Sequence, residues 1–218
     1  MSTARSDALR ASAPLALPTA ALGVTFGVLA APIFGTVPAL LMSAIVWSGA
    51  AQFGAVSVLA GGGSMPLAMC TGLLANARFL PMGFALAPSL HGSPLRRAGT
   101  GALMVDASFA LAHRGEGRFD PVTVVWSAPL QYAGWVGGTA AGVAGATMLA
   151  DPGRLGLDVL FPVFYLGLLL PELRGSSRRL VVAGMSALVA LVLIPVVPEG
   201  VPVLAASATA LLGLKEPS

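Results

Sequence analysis

Charge is what this chain lacks most. Of its 218 residues, 10% are Asp, Glu, Lys or Arg, against about 25% in a soluble globular domain. From Ala11 to Ala77 no side chain is charged, a run of 67 residues, and Pro121 to Ala150 is a second such run of 30. A single membrane span needs about 20 apolar residues, so a soluble core is excluded by length. The one cysteine, Cys70, excludes an internal disulfide and a thiolate metal site. The two histidines, His91 and His113, lie near loops with no ligand spacing around them. Nothing points to a metal or another cofactor. The formal net charge of +3 comes from loop arginines, which suits a negatively charged membrane face rather than nucleic acid.

What remains is apolar sequence, 56% of the chain. A transmembrane barrel would alternate apolar and polar residues over about ten-residue segments. Here the apolar runs are continuous, so helices are expected. The fold class is an all-α polytopic membrane protein with 7–8 transmembrane helices. Turn residues and charges divide it into spans at 14–33, 38–60, 65–90, 98–112, 121–150, 156–172 and 180–197, and a short last stretch at 201–214. Residues 1–13 and 215–218 are expected as tails. Arg5 and Arg10 ahead of an apolar stretch resemble a signal peptide, but the apolar character runs on past Ala31, so a retained first span is expected.

With eight spans, the loop cations divide eight against three. Arg5, Arg10, Arg114, Arg118, Arg174, Arg178, Arg179 and Lys215 lie on one side, and Arg96, Arg97 and Arg154 on the other. The excess of Lys and Arg places the N-terminus in the cytoplasm.

The only two glutamines occur in similar strings, WSGAAQFG at 47–54 and WSAPLQYAG at 126–134. ALGV at 21–24 resembles ALMV at 102–105, and Pro81 with Phe84 resembles Pro162 with Tyr165. The offsets, 79, 81 and 81, keep one order along the chain. They suggest a duplicated three-span unit, 14–92 and 98–173 (93–173 with its leading loop), followed by a helical hairpin at 174–214. An odd number of spans per unit makes the repeat inverted, a 3+3 design typical of secondary transporters.

Polar groups inside spans need partners or water. Ser48 with Gln52, and Ser127 with Gln131, are each four apart and expected on one helix face. They serve either as interhelical bonds, about 0.6 kcal/mol each, or as a hydrated pocket for a zwitterion. Arg78, beside Asn76, and Asp106 are the only deep charges, and each costs about 2.5–3.5 kcal/mol at a helix centre. They are candidates for an ion pair or for coupling, and Arg78, with Asn76, is also a candidate to bind a substrate's carboxylate. Pro81 and Pro162, with Gly23 and Gly27, are candidate helix breaks. Gly134, Gly138, Gly142 and Ala146, at every fourth position, form a close-packing face, within the chain or toward another subunit.

GVTFG at 23–27, SGAAQF at 48–53, NARFLPMG at 76–83, VDASFALA at 105–112, QYAGWVGGTAAG at 131–142 and GLDVLFPVFYLGLLLP at 156–171 together resemble the AzlC family, the large subunits of branched-chain amino-acid exporters. The resemblance implies a multi-pass bacterial inner-membrane permease exporting amino acids such as valine, leucine or isoleucine. It also implies a small, separately encoded AzlD-type membrane subunit. The family often has His where Phe79 stands, and an acid where Ala107 follows Asp106, so two ionisable groups of the pattern are replaced here. An enzyme would need paired acids, a histidine base or a metal cluster in the spans; the chain offers one deep carboxylate and no deep histidine. A structural or assembly subunit whose partner carries the substrate is the other alternative.

Overall fold

The computed structural model describes residues 2–146, 163, 166–167, 169–170, 173–174, 176–197 and 201–209. All named elements among them are helical. In order they are α1 (Ser2–Phe34), α2 (Thr36–Val46), α3 (Gly49–Ala60), α4 (Met65–Asn76), α5 (Phe79–Leu86), a 3-10 turn (Ala87–Ser89), α6 (Pro94–Ala102), α7 (Asp106–Ala112), α8 (Pro121–Gly145), α9 (Ser177–Leu193) and α10 (Val201–Ala208). Most of the expected sixth span, 156–172, lies outside the described residues, as do Pro162 and the end of the last stretch. Two compact units interleave along the chain. One takes the described parts of Met1–Gly49 and Met82–Phe164, the other those of Ala50–Pro81 and Tyr165–Ser218.

The first unit is built on α1 and α8. At 33 residues and 1.5 Å per residue, α1 is about 50 Å long. Among the described residues it is the one helix long and apolar enough to cross a membrane, over Thr3–Phe34. The helix starts at Ser2, so the expected tail forms its first turns. Ala, Leu and Arg there favour helix, and Ala8 and Ser12 are buried. Nor does α1 break at Gly23 or Gly27, a correction to the expectation. Those glycines serve close approach instead. A Cβ on Gly23 would strike the Trp135 carbonyl, and one on Gly27 the Thr139 carbonyl and, at 2.8 Å, the Val143 nitrogen. From the other side, Gly138 abuts the Ala20 carbonyl, Gly142 that of Val24, and Gly134 that of Ala16 at 3.0 Å. Residue numbers rise together along this seam, so α1 and α8 run parallel. The small-residue face of α8 therefore packs within the chain. Phe26 stacks on Trp135 beside it, ring centroids 6.1 Å apart.

Helix α2 runs antiparallel to α8. Ser43 and Thr139 hydroxyls share a hydrogen bond of 2.7 Å, and the Tyr132 hydroxyl donates to the Ala44 carbonyl at 2.9 Å. The outward face of α2 is Val37, Leu41 and Ile45; Ile45 is 77% exposed while Ser43 is 0%. Large apolar residues outside and small or polar ones inside invert the soluble pattern, as expected where lipid is the solvent. In the second unit the same holds for Met65, Met69 and Leu73 on α4 and for Val181, Met185, Leu188 and Val192 on α9. There Gly72 meets the Ala51 carbonyl, and Ser186 of α9 bonds Thr209, the residue after α10.

Three expected spans are each two half-helices. The 38–60 span breaks at Trp47, whose φ of 37° is left-handed. The 65–90 span breaks at Ala77–Arg78, ahead of Pro81. Proline lacks an N–H and crowds the carbonyl four residues back; with α5 starting at Phe79, Pro81 falls in a first turn that needs no donor. The 98–112 span breaks at Leu103–Val105, where the Ser108 hydroxyl accepts from the Val105 N–H at 2.9 Å. WSGAAQFG is thus broken at its tryptophan, whereas WSAPLQYAG lies wholly within α8. The two strings do not share a local structure.

The loop before α8 ties both ends of α6 and α7 to one end of the unit. The Ser89 hydroxyl accepts from the Phe119 N–H at 3.1 Å, and the Asp120 N–H donates to the Ala112 carbonyl at 2.8 Å. Arg5 and Arg96 line one cavity with Pro121 and Trp126. Arg96 therefore lies at the N-terminal end of α1, not opposite it, and 98–112 is a pair of short helices whose outer ends meet at that end of the unit. Nine and seven residues are too few to cross singly.

Asp120 caps α8, accepting from the Val122 N–H at 2.9 Å, Thr123 at 2.7 Å and Arg114 at 3.1 Å. Burial works to raise its carboxyl, but these three donors more than offset that and hold it below the ordinary value. A lowered pKa means stability that is full above the unfolded-state value of 3.8 and lost as pH falls through the folded one. Asp120→Ala is expected to cost about 0.5–2 kcal/mol, read as a lower melting temperature in detergent at pH 7, with the difference from wild type shrinking below about pH 4.

Candidate functional site

Along the N-terminal half of α8 the first unit has an open pocket of about 450 Å³. Its walls are Trp47 from the broken end of α2, Leu103 from the joint of α6 and α7, and the α8 face Val125, Pro129 and Tyr132 with Trp126 and Ala128. Two helix breaks therefore meet at one pocket. Each wall has a local cause. The left-handed Trp47 turns its ring edge-on to Tyr132, centroids 5.5 Å apart. Residues 125, 129 and 132 share a face by helical spacing. Pro129 inside α8 withdraws the hydrogen bond that the Val125 carbonyl would otherwise receive, leaving an acceptor at the wall. The size lies in the range of small-molecule sites, about 300–1,000 Å³, and the lining suits a small branched apolar group.

The neighbouring face of α8 is polar. Ser127 and Gln131 are buried there, on one face as expected. Gln131 Oε1 accepts from the Thr19 hydroxyl of α1 at 3.0 Å, while its Nε2 is buried with no hydrogen-bond partner among the described residues. A buried, unsatisfied amide N–H costs about 1–3 kcal/mol, which is tolerated where a ligand or water completes it. Gln131→Leu is expected to leave the amount of inserted protein within about twofold, because the lost Thr19 bond stabilises by only about 0.6 kcal/mol; a larger loss of inserted protein would make Gln131 a packing residue.

The other candidates fall elsewhere. Ser48 is buried and stands between α2 and α3, one residue before α3 begins. Gln52 is buried on α3 in the second unit. Asn76 ends α4, and Arg78 lies in the turn after it, donating to the Ala75 carbonyl at 3.4 Å with its guanidinium 5.0 Å from the Phe79 ring centre. Asp106 opens α7, three residues past Leu103. Among the described residues no cluster of His, Cys, Asp and Glu could hold a metal. Sequence reasoning missed Trp47, Leu103 and Tyr132 as pocket walls, and Thr19, Ser43 and Thr139 as partners. Only the tryptophan in each glutamine string pointed there.

Helices with lipid-suited outer faces, a seam of glycines and a pocket at helix breaks define a helical membrane protein. The chain belongs to the AzlC family, a transporter family rather than an enzyme family: the family model "AzlC protein" matches residues 14–149. An "Uncharacterized membrane protein" of Archaeoglobus fulgidus is 31% identical over 179 residues, covering 79% of this chain and 78% of that one. No solved structure matches.

Proposed function

We propose that the protein is a permease that exports branched-chain amino acids by alternating access, working with a small AzlD-type membrane subunit. The observation that carries this is the apolar pocket at two helix breaks. Half-helix ends at the pocket present backbone groups to polar parts of a substrate, while Leu103, Val125 and Tyr132 suit its branched side chain. Gln131 supplies a buried amide donor to the substrate carboxylate; Ser48, Gln52, Ser127 and Asn76 are further polar contacts of the transport path. Arg78 and Asp106 form an ion pair or, with Asp106 titrating, a coupling device. The pocket wall itself carries no charged group, which is why a second subunit fits the reading. The setting is the inner membrane of a bacterium. The N-terminal end of α1 faces the cytoplasm, because Arg5 and Arg96 share that end and Lys and Arg favour it.

The test is export of labelled leucine, isoleucine and valine from preloaded cells, with and without the co-expressed small subunit. Export that rises only when both chains are present supports the reading. Cells in which neither arrangement exports any of the three refute it and leave an assembly role.

A further inference from the structure

A second cavity, about 500 Å³, lies at the N-terminal end of α8. Arg5, His91, Arg96 and Thr100 line it, with no carboxylate among its lining residues. The Arg5 guanidinium sits 4.7 Å from the centre of the Trp126 ring, a cation–π contact. Gly92, at φ 104°, lets the Arg96 stem fold over the loop: Arg96 Cδ lies 3.2 Å from where a Cβ would stand. Neither arginine has a carboxylate partner among the described residues; nearby, Asp120 is held by Arg114, and Glu116 by Arg118. Two uncompensated guanidinium groups brought from distant parts of the chain to one cavity form a site for an oxyanion. Arginine suits phosphate because its planar fork donates two parallel hydrogen bonds.

We propose that this cavity binds a phosphate group, carried by an anionic phospholipid. Below the basic rim the walls are apolar, Leu90 and Val125 among them, which suits an acyl chain rather than a free ion. Tryptophan and arginine at one level mark the headgroup zone of a bilayer, and basic pockets between helices on the cytoplasmic side take anionic headgroups. Val125 and Trp126 line the apolar pocket as well, so a lipid here shares a wall with the candidate substrate site.

The test uses the full chain in detergent, by native mass spectrometry, with phosphatidylglycerol, phosphatidylcholine of the same acyl chains, and inorganic phosphate. Wild type is expected to retain phosphatidylglycerol over phosphatidylcholine. The double variant Arg5→Gln/Arg96→Gln is expected to lose that retention about tenfold, and Arg5→Lys/Arg96→Lys to keep most of it. Displacement of the lipid by millimolar inorganic phosphate would keep the oxyanion chemistry and assign the site to a soluble phosphate. Equal retention by wild type and the Gln double variant, with no phosphate binding, overturns the proposal. A photoactivatable phosphatidylglycerol tests wild type without any variant: crosslinks are expected within residues 4–5, 90–100 or 121–126, and crosslinks only elsewhere also overturn it.

Discussion

Replacing Gly142 with valine is expected to abolish folded protein, while replacing Gly137 with alanine, on the same helix, is expected to be harmless or mildly stabilising. At Gly142 even a Cβ would collide with the carbonyl, carbonyl carbon and Cα of Val24, all backbone atoms. No rotamer change relieves such a clash; α1 and α8 must separate. Their parting would loosen the Gly138 contact with Ala20 and the Gly27 contact with Thr139 along the same seam. Overpacking typically costs about 1–3 kcal/mol, occasionally more, and a backbone clash on a continuous seam lies at the upper end. Gly137 is exposed and has nothing within 4 Å of an added Cβ, and alanine in a helix interior is favoured over glycine by about 0.5–1 kcal/mol. Melting curves in detergent and the yield of inserted protein measure both. Equal behaviour of the two variants would mean that the seam does not hold this unit together.

The second large effect is expected at the pocket. Leu103→Trp should leave folding intact and lower leucine export by about tenfold or more. Leu103 sits at the joint between two short helices, facing a cavity of about 450 Å³, so an indole has room to enter without breaking the α1–α8 seam. Filling the pocket then removes the apolar contacts of a branched side chain. Each methylene-sized difference in an apolar pocket is worth about 1–3 kcal/mol, or 10–200-fold, and an indole takes up several. The measurement is initial export rate per inserted molecule, with the melting temperature as the control for folding. An unchanged rate would mean that substrate does not pass this pocket.

What could be read in the sequence was the class and the polar anchors. Sixty-seven residues without charge leave few options but membrane helices, and the glycine spacing on α8 announces close packing, though not against what. Ser127 and Gln131 fell on one buried face because α8 obeys helical periodicity throughout. The failures are at helix ends. Trp47 in a left-handed conformation has no signature in a run of apolar residues, so the division of 38–60 into two helices cannot be read from composition. Gly23 and Gly27 read as weak points by propensity, yet tertiary packing against backbone carbonyls makes them strong ones. The segment 98–112 read as a crossing because its composition is apolar; only the ties of Ser89 and Ala112 to the loop before α8 show both ends on one side. Pocket walls drawn from positions 47, 103 and 125–132 cannot be seen until the breaks are known.

Leucine efflux from proteoliposomes holding the purified chain and its small subunit tests the central claim most directly. Leucine is predicted to leave these vesicles faster than protein-free ones. Excess valine or isoleucine is predicted to slow it and excess lysine to have no effect. Efflux no faster than from protein-free vesicles, or slowed equally by lysine, would contradict an exporter with a branched apolar pocket.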